Sequence, residues 1–318
     1  MSRPRVVFFG TPAFAVPALR ETARRCEVVA VFTQPDRPKG RGRSVTRSAV
    51  AEVAEELKIP VHKPETLKSA ELLAETRGWN ADLFAVVAFG AILSKDWLAA
   101  PRHGAINLHG SLLPDYRGAS PVQRALWDGR TGTGVTTLWM DEGIDTGDVI
   151  DQRWVAIEPG DTAETLGARL ADVGAPILAE SLVRAVSGSA PRTEQPREGS
   201  YAKKLTKRDG VVDWSADAVT VWNRQRAVTP WPGATTGWTG RRLLILESRP
   251  HDLMTRTAPP GAVLAIERSA VRVACGRGAL ELLAVKPDGG RPMHADAWAR
   301  GAHVAPGARL EWNEEVSK

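Results

Sequence analysis

Two cysteines are all that 318 residues contain, and Cys26 and Cys275 lie far apart in apolar surroundings. That scarcity excludes a disulfide framework and a thiolate metal site, and makes a reducing cytoplasm the expected compartment. No uninterrupted apolar run approaches the roughly 20 residues a membrane-spanning helix needs. The opening Met1-Ser2-Arg3-Pro4-Arg5 leads directly into a short strand, not into the apolar core of a secretory signal. No membrane partner is expected, and no protein partner is implied. The three spaced glycines of a dinucleotide fingerprint are missing, since Gly10 stands alone after the first strand, so a nicotinamide cofactor is excluded. Ser111 has Gly110 before it but Leu112-Leu113-Pro114 after it, which is not the setting of a nucleophile elbow. His62, His103, His251, His294 and His303 show no ligand spacing with one another, and no metal is expected.

What is present is an ordinary globular composition, 43% hydrophobic and 25% charged, long enough for two domains. Val6–Phe9 ends at Gly10 as a buried strand. Thr11-Pro12 then reads as an N-cap and first helical residue of a helix to Arg25, kinked by Pro17. Val28–Phe32 is a second strand, and Leu83–Phe89 is apolar on both faces, as strands of a parallel sheet are. Together with intervening helices they predict a doubly wound, mostly parallel α/β sheet. Thr162–Ser187 is a long amphipathic helix that closes this domain. Four short β-like runs between 243 and 285, punctuated by turns, predict a smaller C-terminal β-barrel. The expected divisions are a catalytic domain over 1–189, a linker over 190–205 and the barrel over 206–318. Charge follows the same division. Residues 1–189 carry 22 Lys and Arg against 23 Asp and Glu, whereas 190–318 carry 20 against 14. The net charge of +5 therefore resides in the C-terminal part, as suits a polyanionic partner.

Asn107-Leu108-His109 ends an apolar strand. Residues two apart share a face, so an amide and an imidazole project together at a strand's C-terminal end, where open α/β sheets bind ligands. Two buried polar groups satisfied by backbone would look the same in sequence. Asp141–Asp148 holds four carboxylates and two glycines. Its spacing does not match a calcium loop, which leaves a solvated turn or a carboxylate that orients His109; Asp145 has the most constrained neighbourhood. An amide and an imidazolium can donate to the oxyanion formed when a nucleophile attacks a carbonyl, and a carboxylate can hold the ring and take a proton. With no serine or cysteine nucleophile, direct transfer between two bound substrates is expected. The loop Thr33–Arg43 alternates glycine with cations, a pattern suited to phosphate contact.

Asn107-Leu108-His109-Gly110-Ser111-Leu112-Leu113-Pro114, with Asp145 in Met140–Asp148, resembles the folate-dependent formyltransferases. Phe9-Gly10-Thr11-Pro12 and the Arg-rich loop narrow the resemblance to the methionyl-tRNA formyltransferases, and it extends through the linker and Trp231-Pro232-Gly233 to nearly the whole chain. It implies a Rossmann-like formyltransferase core and a tRNA-binding C-terminal domain, with transfer of the formyl group of 10-formyltetrahydrofolate to initiator methionyl-tRNA. Asn107, His109 and Asp145 match the family's catalytic trio. Ser111, Leu112, Leu113 and Pro114 match the folate-lining segment, with Phe89 and Ile92 in the neighbouring apolar wall. Arg37, Lys39, Arg41 and Arg43 match the loop that reaches the tRNA acceptor end. A formyltransferase acting on a sugar nucleotide or other small amine would share the core without needing the basic loop. A formyl-releasing hydrolase and a non-catalytic RNA-binding protein are more distant readings.

Overall fold

A computed structural model of the chain describes residues 3–39, 44–254 and 258–311. It contains two compact units. One comprises Met1–Pro121, Gly132–Ala156 and Gly167–Ala202; the other comprises Val122–Thr131, Ile157–Leu166 and Lys203–Lys318.

The first unit is built on a seven-stranded sheet of β1 (Arg5–Gly10), β2 (Glu27–Phe32), β3 (Val61–His62), β4 (Leu83–Val87), β5 (Ala105–His109), β6 (Gly132–Trp139) and β7 (Val149–Ala156). Their spatial order is β7-β6-β5-β4-β1-β2-β3. The five strands from β5 to β3 run parallel, and β6 and β7 extend the sheet antiparallel. Parallel strands are covered on both faces, which is why β4 and the Val6–Phe9 run of β1 are unbroken apolar sequence. Phe9 stacks on Phe32 at 4.8 Å and meets Phe89 and Trp97 edge-on at 5.3 and 6.0 Å. That aromatic cluster is buried beneath one face. The helix Ala163–Val186 carries Gly174, where a Cβ would come within 2.8 Å of Leu108. Leu108 and the Asn107/His109 pair alternate along β5, so close helix packing against Leu108 fixes the strand from its opposite face.

Several sequence expectations need correction. Thr11 caps no helix; a short 3₁₀ turn (Ala13–Ala15) precedes the helix Val16–Arg25. Pro17 sits in that helix's first turn, where its missing N–H costs nothing, so it does not kink the helix. The stretch 190–205, expected as the linker, contains paired backbone. Through Ala202 it clusters with the first unit, and Tyr201–Ala202 pairs in parallel with Arg117–Gly118. Residues 122–131 and 157–166 cluster with the second unit.

The second unit's sheet runs β8 (Ala234–Trp238), β9 (Arg241–Pro250), β12 (Ala279–Pro287), β11 (Ala270–Ala274), β10 (Val263–Glu267), with β13 (Met293–His294) paired to β12. These strands pair with one another antiparallel. Residues 307–311 close it towards a barrel. The Val263 N–H donates to Ala308 on one edge, and the Glu311 N–H donates to Gly237 on the other. Its core includes Trp214, Leu243, Ile245, Val271, Leu280 and Trp298.

Candidate active site

The first unit brings Asn107, His109 and Asp145 together. β5 presents the amide and the imidazole on one face, and the turn after β6 returns Asp145 to them. Asn107 Nδ2 donates to Asp145 Oδ1 at 3.0 Å. A carboxylate only accepts, so the amide nitrogen must be the atom that faces it. His109 Nδ1 lies 3.5 Å from Asp145 Oδ2, and Nε2 lies 2.9 Å from the carbonyl oxygen of Tyr116. Both ring nitrogens thus face acceptors. His109 is 6% exposed, while Asn107 is half-buried and reaches the surface.

Asp145 is held more tightly than its turn suggests. Besides Asn107, its carboxylate accepts from the Gly118 N–H at 2.8 Å. Its φ of +55° lies in the left-handed region, which costs a non-glycine residue roughly 1–2 kcal/mol. Gln195 donates to the carbonyl oxygens of Asp145 and Gly147 at 3.0 and 2.6 Å. A site assembled this way offers a negative carboxylate, a donor ring and one amide hydrogen of Asn107 to whatever enters beside β5.

The segment expected to line the folate site is wired to the antiparallel strands. Thr136 on β6 donates to the Ser111 carbonyl at 2.7 Å and accepts from the Leu113 N–H at 3.1 Å. Gln152 on β7 donates to the Leu113 carbonyl at 2.8 Å. Ser111 is fully buried, and its hydroxyl donates to the Asp115 carbonyl at 2.6 Å. Its side chain builds the turn and does not face outward. Leu113 is buried, and Leu112 and Pro114 are half-buried. Phe89 also departs from expectation, since its ring is 3% exposed in the Phe9 cluster. It is packed beneath the surface, whereas Ile92 is 78% exposed.

The basic loop's flanks form a hairpin, Arg37–Lys39 paired with Ser44–Thr46, so Arg37 and Lys39 lie on a strand. Arg41 and Arg43 fall outside the described residues. Asp36, the loop's one acid, pairs with Lys63 at 2.7 Å. Among the described residues no three His, Cys, Asp or Glu side chains gather as a metal site, and no helix is long and apolar enough to cross a membrane. Sequence reasoning missed β7 with Gln152, the Tyr116 carbonyl, the Gly118 N–H and Gln195. The backbone groups carry no residue signature, and Gln195 lies in a stretch read as linker.

Residues 4–182 match the formyl transferase family, and residues 204–303 match the formyl transferase C-terminal domain. Methionyl-tRNA formyltransferase of Myxococcus xanthus is 43% identical over 97% of this chain and 98% of its own length. The Xanthomonas axonopodis protein of the same name is also 43% identical, over 96% of this chain and all of its own. Among solved structures, an N-formyltransferase from Helicobacter canadensis superposes with a TM-score of 0.63 at 17% identity, covering 89% of this chain and 99% of its own. HypX from Aquifex aeolicus, in complex with tetrahydrofolic acid, gives 0.62 at 17% identity; this chain is 98% covered and spans 51% of that longer protein. The structural likenesses speak for the fold alone, but the sequence matches run through both units: the chain belongs to the formyl transferase family.

Proposed function

We propose that this chain transfers the formyl group of 10-formyltetrahydrofolate to the α-amino group of methionine esterified to initiator tRNA, in the cytoplasm. The end-to-end relatives of that name support the reaction. The observation that carries the site is the Asp145 carboxylate, bonded to Asn107 and paired with His109 beside the half-buried amide. As the amine nitrogen bonds to the formyl carbon, Asn107 offers its second amide hydrogen to the negative charge growing on the formyl oxygen. His109 adds a donor. Its Nε2 edge is committed to Tyr116 at 2.9 Å, whereas 3.5 Å to Asp145 leaves the Nδ1 edge less firmly held, so an Nδ1 hydrogen, fixed in the ring plane, is the one that can be shared between Asp145 and the oxygen. Asp145 holds both groups and takes the proton that the amine sheds. The bond from the formyl carbon to N10 then breaks, and N10 recovers a proton. Ile92 and the 112–114 edge are assigned to folate, and Arg37, Lys39, Arg41 and Arg43 to the tRNA acceptor end.

The test mixes the protein with 10-formyltetrahydrofolate, with and without methionyl-tRNA, and measures formylmethionine on the tRNA. Transfer that requires the tRNA is expected. Asn107→Ala should lower kcat by about 10²–10³, as loss of an oxyanion donor does. Wild-type turnover in that variant would remove Asn107 from the chemistry, and release of formate without tRNA would reject the transferase reading.

A further inference from the structure

Gln195 belongs to no helix or strand, yet it is 7% exposed and spends its whole hydrogen-bonding capacity at the catalytic turn. Its Nε2 donates to the carbonyl oxygens of Asp145 at 3.0 Å and Gly147 at 2.6 Å. Its Oε1 accepts from Arg117 Nε at 3.2 Å and Nη2 at 2.9 Å. Arg117 in turn donates to the carbonyls of Pro196 and Arg197 at 2.9 and 3.3 Å. The guanidinium therefore orients the amide, and the amide orients the turn.

Two segments set where the Asp145 carboxylate lies, and Gln195 joins them. One is the backbone of 145–147, which carries the side chain. The other is the strand Arg117–Gly118, whose Gly118 N–H donates to Asp145 Oδ2 at 2.8 Å. Asp145 holds a left-handed φ of +55°, a conformation that persists only where surrounding contacts over-determine it. Donors to the two carbonyls of the turn are contacts of that kind.

We propose that Gln195 is a positioning residue for formyl transfer, which locks the Asp145 turn against the Arg117–Gly118 strand and so sets the carboxylate's distance to Asn107 and His109. The proposal rests on Asp145 acting as the reaction's carboxylate. It also makes the 193–197 stretch part of the catalytic apparatus, through contacts that do not touch substrate.

Gln195→Met keeps the side chain's length and removes all four bonds, and Gln195→Glu keeps the acceptor for Arg117 but aims a carboxylate at two carbonyl oxygens. Both should lower kcat by about 10–100-fold, the scale of a misplacement near 1 Å, with KM for folate and tRNA within about twofold. Protonating the introduced carboxylate of Gln195→Glu would restore one donor. That variant's kcat relative to wild type should therefore recover as pH falls, while that of Gln195→Met stays flat. A folded Gln195→Met with kcat within about twofold of wild type, a loss confined to KM, or parallel pH profiles for the two variants would overturn the proposal. Should circular dichroism show Gln195→Met unfolded, Arg117→Lys decides, because losing the guanidinium fork should lower kcat alone; an unchanged kcat there refutes the lock. Wild-type protein that transfers no formyl group in the parallel assay would instead defeat the functional reading itself.

Discussion

One carboxylate at Asp145 serves an amide, a backbone N–H and an imidazole, so the site's geometry is concentrated in a single residue's placement. The Asn107/His109 half of this arrangement was legible in the sequence because the two-residue period of a strand dictates that both project together. Asp145 was legible through its turn and its family resemblance. The groups that hold it were not. A carbonyl at Tyr116 or an N–H at Gly118 exists at any residue type, and Gln195 reaches the site only through folding. The buried thiols make a separate prediction. Burial pushes Cys26 up to about 11 and Cys275 up to about 12, so both stay neutral in the folded chain while an unfolded thiol ionises near pH 9. The unfolded state then binds fewer protons, and stability falls as pH rises above 9, by up to about 1.4 kcal/mol per pH unit for each thiol. Urea unfolding at pH 8 and pH 10 should show a shallower loss in a Cys26→Ala, Cys275→Ala double variant than in wild type. Equal slopes would deny the burial effect.

At the scale of elements, the strongest surprise is how much the antiparallel strands β6 and β7 contribute to the site. β7 eluded sequence reading because Asp151, Gln152 and Arg153 interrupt any apolar pattern, as befits a strand at the sheet's edge. Its Gln152 nonetheless anchors the Leu113 carbonyl. The parallel strands were legible for the opposite reason, since burial on both faces leaves unbroken apolar runs. The turn joining β6 to β7 is equally constrained. A Cβ on Gly147 would stand 1.8 Å from the Trp139 carbonyl oxygen, and a backbone atom cannot swing aside as a flexible side chain can. Gly147→Ala should therefore destabilise the chain by about 1–3 kcal/mol, read as a lower urea midpoint at unchanged m-value. Because the same turn carries Asp145, kcat should fall with it. A variant with both the wild-type midpoint and the wild-type kcat would show that the turn is not as tight as its backbone geometry requires.

Across the whole molecule, charge is uneven along the chain: a near-neutral 1–189 precedes a C-terminal part with 20 Lys and Arg against 14 Asp and Glu. A balanced catalytic unit makes its Arg37–Arg43 loop the more conspicuous, because Lys63 already engages the loop's one acid and the remaining charges there are all cationic. If that loop meets phosphates, each contact releases counterions, and the affinity for tRNA must fall with salt by a slope that counts them. Arg41→Ala should then weaken methionyl-tRNA binding and reduce the slope of log K against log salt by about 0.7–0.9, the value of one phosphate contact on single-stranded or duplex nucleic acid. KM for 10-formyltetrahydrofolate should stay unchanged, because nothing in the folate assignment uses the loop. Filter binding from about 50 to 200 mM salt, with the folate kinetics measured alongside, separates the outcomes. A parallel salt line with wild-type affinity would remove Arg41 from the RNA contact and leave the C-terminal excess of charge as the remaining source of affinity for the polyanion.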